Sequence, residues 1–318
     1  MTQPHGEPAA GHAADAGHGG HGDGPFNAGE MIVEHIANSP IDHPLIHLPP
    51  LLGIDFSITK HVLMLWLVAA TVFTLVTVTV RRYLRQDRLV PGRFMTVLEF
   101  MVEFIRDSIV APNVGERYAR RWAPLILTFF IFILLANLVG LIPMFEVLGL
   151  IDHYVLHTGE DSFVKQLLHG GATATANFNV TAGLAVITFI AIIVAGTTAH
   201  GFIQHWKNLV PHGLAWPIYF LLIPIELIGM IVRPFALTLR LAANMTAGHI
   251  AILALLSFVL IFAEQFQSAA AGIGIGLVVS VPMAVGIYAL EIIVILVQAY
   301  VFTLLTTTFI GMAINVHH

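Results

Sequence analysis

The residues of this chain that could do chemistry are polar side chains within two long apolar stretches near its C-terminus. In the first stretch a carboxylate and two guanidinium groups recur every seven residues, which places them on one face of a helix. In the second stretch a carboxylate and an amide are again seven residues apart. Carboxylate and imidazole groups exchange protons and arginine stays charged, so this set suits the movement of a proton or an ion through a membrane. Its members are Glu226, Arg233, Arg240, Asn244, His249, Glu291 and Gln298.

Arg240 is the least expected of these residues, because the apolar runs 216–230 and 250–263 flank its segment. An ionised side chain at bilayer depth costs at least ~2.5–3.5 kcal/mol on insertion scales, and arginine does not deprotonate in proteins. The structural alternative is a buried pair, such as Arg240 with Glu291, that merely sets the register of two helices. Two carboxylates, two arginines, a histidine and two amides are more than register requires, so we favour ion or proton conduction.

The composition is that of a polytopic membrane protein. The chain has 318 residues, of which 57% are hydrophobic and 10% are charged, against about 25% charged in soluble domains. It contains no cysteine, and none of its three lysines follows a glycine as a phosphate-binding loop requires. We therefore expect no nucleotide site, no cofactor, no metal and no nucleic-acid partner in this chain.

Residues 1–44 read as a disordered external tail rich in His, Gly and Ala. No Lys or Arg precedes Lys60, which argues against the basic n-region of a signal peptide and against an Arg-rich transit peptide. His-rich tracts can bind divalent metals, but the histidines here follow no fixed spacing, so we favour a solvated tail.

Charge bias predicts the topology. Residues 61–80 form a first span, and nine of the fourteen Lys and Arg residues fall within 81–121, whereas residues 1–59 have none. By the positive-inside rule this places 81–121 in the cytoplasm and the N-terminus outside. Within it, 94–106 has apolar residues at helical spacing and Glu99 and Glu103 on the other face, which predicts an interfacial amphipathic helix.

Two further spans follow, at 123–143 and 180–203, joined by an external loop at 145–179. We expect His200, His205 and His212, at the cytoplasmic end of the third span, to be solvated. The C-terminus is then cytoplasmic too, because two more membrane-embedded segments follow.

Those two segments, 214–267 and 269–313, are each too long for a simple span. A helix of ~50 residues is ~75 Å long, over twice the ~30 Å hydrocarbon core, so it must be strongly tilted. Pro217, Pro224 and Pro234 are interpreted as kinks rather than ends. The predicted fold is an all-α polytopic membrane protein: about five membrane-embedded helices plus the interfacial helix in one domain, 45–318, closed by a tilted hairpin at 214–315.

At these residues the chain resembles subunit a of the F-type ATP synthases, over roughly residues 45–315. The resemblance lies in the order and spacing of short motifs in the terminal hairpin and in the earlier spans. They are Pro234, Leu239-Arg240-Leu241, Asn244-Met245, Ala247-Gly248 and Gln298-Ala299-Tyr300, with Ala123-Pro124-Leu125, Asn137, Pro143 and Asn179-Val180-Thr181 before them.

The resemblance implies a role for each polar residue. Arg240 is expected to face the essential carboxylate of each c-subunit as the c-ring turns, and to block leakage between two half-channels. Gln298 is expected to lie beside Arg240. Asn244, His249 and Glu291 are expected to line the outer half-channel, and Glu226 the cytoplasmic one. Implied partners are the c-ring, the b-subunit stator stalk, the other ATP synthase subunits and the lipid bilayer. Because the sequence shows no transit-peptide pattern, the expected location is a bacterial inner membrane.

Two departures from the family pattern matter. Some members carry an acid at the position of His249 and a histidine at that of Glu291; the reversal here predicts that the two side chains touch. Asn177 stands where many members have an acidic residue near the outer channel mouth, and it and Arg233 are the weakest site candidates.

Three other readings remain open at this point. A stand-alone transporter or channel predicts internal repeats, and none is evident between the two halves. A haem- or quinone-binding subunit needs paired histidines at bilayer depth, and only His249 qualifies. A purely structural assembly subunit leaves Arg240 without a purpose.

Overall fold

The structure, a computed structural model, describes residues 60–86, 90–141, 177–208, 216–266 and 276–315, with the single positions 29, 175, 268, 270, 273 and 274. Five of its helices are long and apolar enough to cross a membrane. The predicted all-α polytopic fold is thereby confirmed. The predicted tail, except Gly29, and nearly all of the predicted loop at 145–179 lie outside the described residues.

The first half of the chain forms two spanning helices joined by shorter helical pieces. Helix α1 is Lys60–Leu84, α2 is Arg93–Glu103 and α3 is Ala111–Val114, with a π-helical stretch, Phe104–Val110, between α2 and α3. Helix α4 is Glu116–Leu141. It begins earlier than the predicted residue 123, because the chain turns at Gly115 and the helix starts at the next residue. Gly115 has a φ of +83°, a left-handed conformation that favours glycine.

The third span, α5, is Phe178–His200, and a short helix α6, Phe202–Lys207, follows it. Asn177 caps the start of α5, since its side chain accepts a hydrogen bond from the backbone N–H of Asn179. The span ends before the predicted residue 203 because Gly201, at φ +86°, reverses the chain so that α6 packs against α5.

The prediction of solvated histidines was wrong for His205 and only partly right for His200. His205 is 4% exposed, and its imidazole occupies the space that Gly196 leaves by having no side chain. Burial, and then the proximity of His200, lower the pKa of His205. His200 is half-buried and its Nε2 donates to the backbone oxygen of Ile314, at 2.7 Å. His212 lies outside the described residues.

The last two long helices are α7, Trp216–Gln265, and α8, Val281–Ile314, which a π-helical turn, Gly276–Ser280, precedes. With 50 residues α7 is about 75 Å long, so it must be strongly tilted to remain in a bilayer. Pro224 and Pro234 lie inside α7 as predicted. Pro217 is the second residue of α7, so it lies in the first turn and does not kink the helix. A backbone N–H at that position would have no partner within the helix, so proline is tolerated there.

Contacts between α7 and α8 run in opposite directions along the chain, so the two helices are antiparallel. Arg233 faces Phe309, Asn244 faces Gln298, Gly248 faces Glu291, and Gly276, just before α8, faces Val259. Helix α8 also packs on α3, α4 and α5. Its fully buried Phe302 meets Phe129 of α4 edge to face, with ring centroids 5.6 Å apart. The polar residues of α8 are therefore held at the centre of the molecule.

Candidate functional site

A buried carboxylate lies at the centre of the candidate site. Glu291 is 4% exposed, and neither of its oxygens has a hydrogen-bond partner among the residues that the structure describes. Its carboxylate packs against the backbone of Gly248 on α7, where a Cβ would lie 2.5 Å from Oε1. Burying an unpaired carboxylate is costly, so this group calls for a proton, a water molecule or a partner from outside the described chain.

A cavity of about 10 Å³ lies beside Glu291. Its polar lining comes from Asn137 of α4, Asn244 of α7, and Glu291 and Gln298 of α8. That volume is at the lower limit for one water molecule, and the surface that faces the cavity is almost entirely apolar. The carboxylate therefore lies next to a small void that the two terminal helices and α4 enclose.

Asn244 and Gln298 join α7 to α8 next to this cavity. The Asn244 amide donates to Gln298 Oε1 at 3.2 Å. Gln298 is 5% exposed, whereas Asn244 is exposed. The pair thus links the buried carboxylate region to the outer face of α7. Gln298 lies opposite Asn244, one helical turn beyond Arg240, rather than directly opposite Arg240.

Arg240 lies close to the midpoint of the 217–265 span and is exposed. It forms no hydrogen bond or ion pair with any residue in the described part of the chain, so the register-setting pair with Glu291 does not form. Ala236, Ala243 and Ala247, within two helical turns on the same face, are exposed as well. Small residues of this kind let another helix approach closely. The guanidinium group therefore points to an open surface flanked by short side chains.

Glu226 and Arg233 form an ion pair two turns apart on α7. Arg233 Nη2 lies 3.2 Å from Glu226 Oε1, and the two side chains are 40% and 34% exposed. Their separation of seven residues, read from the sequence, placed them correctly on one face. The pair lies nearer the start of α7 than Arg240 does, whereas Asn244 and Glu291 lie beyond Arg240.

Two further predicted site residues are His249 and Asn177. No hydrogen bond joins His249 to Glu291, so the predicted contact between these two side chains stays a prediction. His249 is half-buried and interacts with at least one other group. Asn177 is 9% exposed and caps α5, so helix capping accounts for its polar side chain. A place for Asn177 at a channel mouth stays a prediction.

Three residues of this site carried no functional prediction. Asn137 is 1% exposed and accepts a hydrogen bond from Thr175 Oγ1 at 2.6 Å. An asparagine within the apolar run of α4 is itself a signal, because a buried amide needs partners. Thr175 and Gly248 give no such signal, since threonine and glycine are common in membrane helices and their loops.

Comparison with known proteins gives one family. The family model for the ATP synthase A chain matches residues 62–311. ATP synthase subunit a 2 of Chlorobium luteolum is 40% identical over 315 residues, covering 96% of this chain and 80% of that protein. ATP synthase subunit a 2 of Prosthecochloris aestuarii is 38% identical over 311 residues, covering 95% and 84%. ATP synthase subunit a of Anaeromyxobacter dehalogenans is 38% identical over 344 residues, covering 99% and 80%.

Proposed function

This chain belongs to the ATP synthase A chain family, and on that basis we propose that it is the proton-translocating stator subunit of an F-type ATP synthase. In this role it works in a membrane with the other ATP synthase subunits. Proton flow through it drives rotation of a c-subunit ring, and the rotation drives ATP synthesis on other polypeptides.

The observation that carries the proposal is the exposed Arg240 near the middle of the longest membrane helix. No described residue of this chain pairs with it. A permanent charge at this depth requires a partner or a water-filled cavity, and in the proposed function the partner is a carboxylate of another subunit. The flanking alanines favour a closely packed helix there, and a ring carboxylate supplies the opposite charge.

The remaining polar residues divide into two routes on either side of Arg240. Asn244, His249, Glu291 and Gln298 line the proposed outer half-channel, and three of them, Asn244, Glu291 and Gln298, border one small cavity. Glu226 belongs to the cytoplasmic half-channel. A carboxylate that reaches Arg240 favours its ionised form and releases its proton to one route. Once past the arginine, in apolar surroundings, it takes up a proton from the other route.

The energy comes from the membrane potential, which contributes ~2.3 kcal/mol per proton for each 100 mV. Because the two routes are offset, a proton can cross only by riding on the ring. Arg240 thus acts as both counter-charge and seal. The basic segment 81–121 supports an orientation with the N-terminus outside and the C-terminus in the cytoplasm. The location is the inner membrane of a bacterium, and the stator-stalk b-subunit holds the chain still.

Proton flux through membrane vesicles carrying the whole complex tests this function. Arg240→Ala is expected to abolish ATP-driven pumping and ATP synthesis while the complex still assembles, and to raise the passive leak between the half-channels. Arg240→Lys keeps a positive charge without the planar guanidinium and serves as the matched variant. Coupled pumping at the wild-type rate in Arg240→Ala contradicts the proposal.

A further inference from the structure

The ion pair between Glu226 and Arg233 is held in place from two sides. Arg233 Cζ lies 6.0 Å from the centre of the Phe309 ring on α8, within the range of a cation–π contact. The arginine side chain also lies flat along α7 over Gly229, where a Cβ would be 3.7 Å from Nη2. A larger side chain at position 229 would occupy that space. The Arg233 side chain therefore lies between α7 and α8, and the end of its guanidinium group contacts Glu226.

Within the described ranges, the ion pair of Glu226 is with Arg233. The nearest carboxylate of α8 is Glu291, which faces Gly248, more than about 20 Å further along α7 by helical rise. The titratable groups on α7 itself and on the helices packed against it are Tyr219, Arg240, His249, Glu264, His200, Tyr288, Glu291 and Tyr300.

We infer that Arg233 is a positioning residue, which holds the Glu226 carboxylate at one place on the cytoplasmic proton route. Without Arg233 a glutamate side chain on an exposed helix face has several rotamers, and most of them direct the carboxylate elsewhere. With it, the carboxylate is directed along α7 toward Arg233, on the side of Glu226 that leads to Arg240. The inference rests on the proposed function, because it takes Glu226 to be a proton carrier on that route.

The ion pair also explains why two arginines recur seven residues apart on one helix face. Arg240 is exposed and forms no ion pair within the described chain, so it is available to another subunit. Arg233 is half-exposed and already neutralised by Glu226, so it cannot serve as a second seal. The two arginines therefore have different tasks although their sequence contexts are similar.

Passive proton flux through vesicles whose catalytic head has been removed tests the inference by a double-mutant comparison. Arg233→Gln is expected to lower the flux about fivefold, the order expected when a half-exposed ion pair is lost. Glu226→Gln is expected to lower it at least as much. Arg233→Gln in the Glu226→Gln background is expected to change nothing further, because the group that Arg233 positions is then already absent. Arg233→Lys, which keeps the charge, is expected to restore most of the flux.

Gly229 gives a second test that leaves both charged residues in place. Gly229→Leu fills the space under the guanidinium and is expected to reproduce the loss seen in Arg233→Gln. Gly229→Ala adds a methyl group at an ordinary contact distance, 3.7 Å, and is expected to leave the flux unchanged. This comparison remains informative if Arg233→Gln fails to assemble.

The outcomes separate the two proposals. If Glu226→Gln lowers the flux and Arg233→Gln does not, the positioning role is wrong and the route stands. If the two losses multiply in the double variant, Arg233 acts independently of Glu226 and the inference is overturned. If Glu226→Gln conducts at the wild-type rate, Glu226 is not on the route, and both the route and the positioning role fall.

Discussion

Gly248→Ala is the substitution whose effect on the proposed outer half-channel can be worked out most directly from the structure. Gly248 lies on α7 and its backbone packs against the Glu291 carboxylate of α8. The added methyl carbon would lie 2.5 Å from Oε1 and 2.9 Å from Cδ, closer than atoms approach without a shift. Alanine is favoured over glycine in a helix, so α7 itself gains stability. The added methyl group therefore acts mainly by displacing the Glu291 carboxylate.

The size of the shift can be read from the contact distances. Ordinary contact begins at 3.4 Å, so from 2.5 Å the carboxylate must move by about 0.9 Å. No described residue holds either oxygen by a hydrogen bond, so the move breaks no bond and the complex is expected to assemble. A displacement of ~1 Å at a reacting group can cost ~100-fold in rate. We expect proton flux to fall by about 10- to 100-fold.

The assay is passive and ATP-driven proton flux in vesicles with equal amounts of assembled complex. Gly229→Ala, the same change on the same helix at an ordinary contact distance, is the control and keeps wild-type flux. Glu291→Asp in the Gly248→Ala background shortens the acidic side chain by one methylene and is expected to recover part of the lost flux. Wild-type flux in an assembled Gly248→Ala complex refutes the reasoning, because it means that the position of this carboxylate does not limit conduction.

Three other predictions follow from contacts in the structure. Gln298→Leu removes the acceptor of the Asn244 amide, so proton flux is expected to fall about fivefold. Adding Asn244→Leu to that variant should lower the flux little further. A second fivefold loss in the double variant contradicts a shared role of the two residues. Gly311→Ala places a Cβ against the backbone oxygen of Asn113, which cannot move cheaply. The protein purified in detergent should lose ~1–3 kcal/mol of stability, seen as a lower Tm, and an unchanged Tm contradicts the packing of α3 on α8. Burial lowers the pKa of His205 below its ordinary 6.5. The packed position of α6 against α5 is therefore more stable when His205 is neutral than when it is protonated. That stabilisation is complete above about pH 6.5 and is lost as the pH falls below it. Hydrogen exchange of residues 202–207 between pH 7.5 and 5 should therefore increase in the wild type relative to His205→Gln, and parallel profiles contradict this.

Most of the fold could be predicted from the sequence, because spanning helices are set by the hydropathy and length of single segments. The five spans and the overlong hairpin follow from that alone. The helix ends were less accurate. Gly115 and Gly201 have positive φ values at the two sharp turns. The sequence alone does not indicate which of the many glycines in the chain adopts such a conformation. The burial of His205 depended on one of these turns.

The site could be predicted only in part, because spacing identifies a shared face but not what lies opposite. The stripe of Glu226 and Arg233 was readable since both residues are on one helix. The partners across the hairpin were not, because they depend on the register between α7 and α8. Thus Gln298 meets Asn244, and the Glu291 carboxylate packs against the backbone of Gly248. Asn137 joined the site through the packing of a third helix, which no pattern within the terminal hairpin could reveal.

The central claim is that Arg240 faces a carboxylate-bearing helix of the c-ring, and disulfide cross-linking tests it most directly. The chain contains no cysteine, so Ala243→Cys, exposed one turn from Arg240, is a unique reporter. A cross-link requires Cα atoms within about 7 Å. The account predicts a disulfide between this cysteine and one placed beside the ring carboxylate, and its loss when the ring cysteine is moved to the opposite face. If Ala243→Cys reacts with a lipid-soluble thiol reagent but cross-links to no position on the ring, Arg240 faces lipid and the account is wrong.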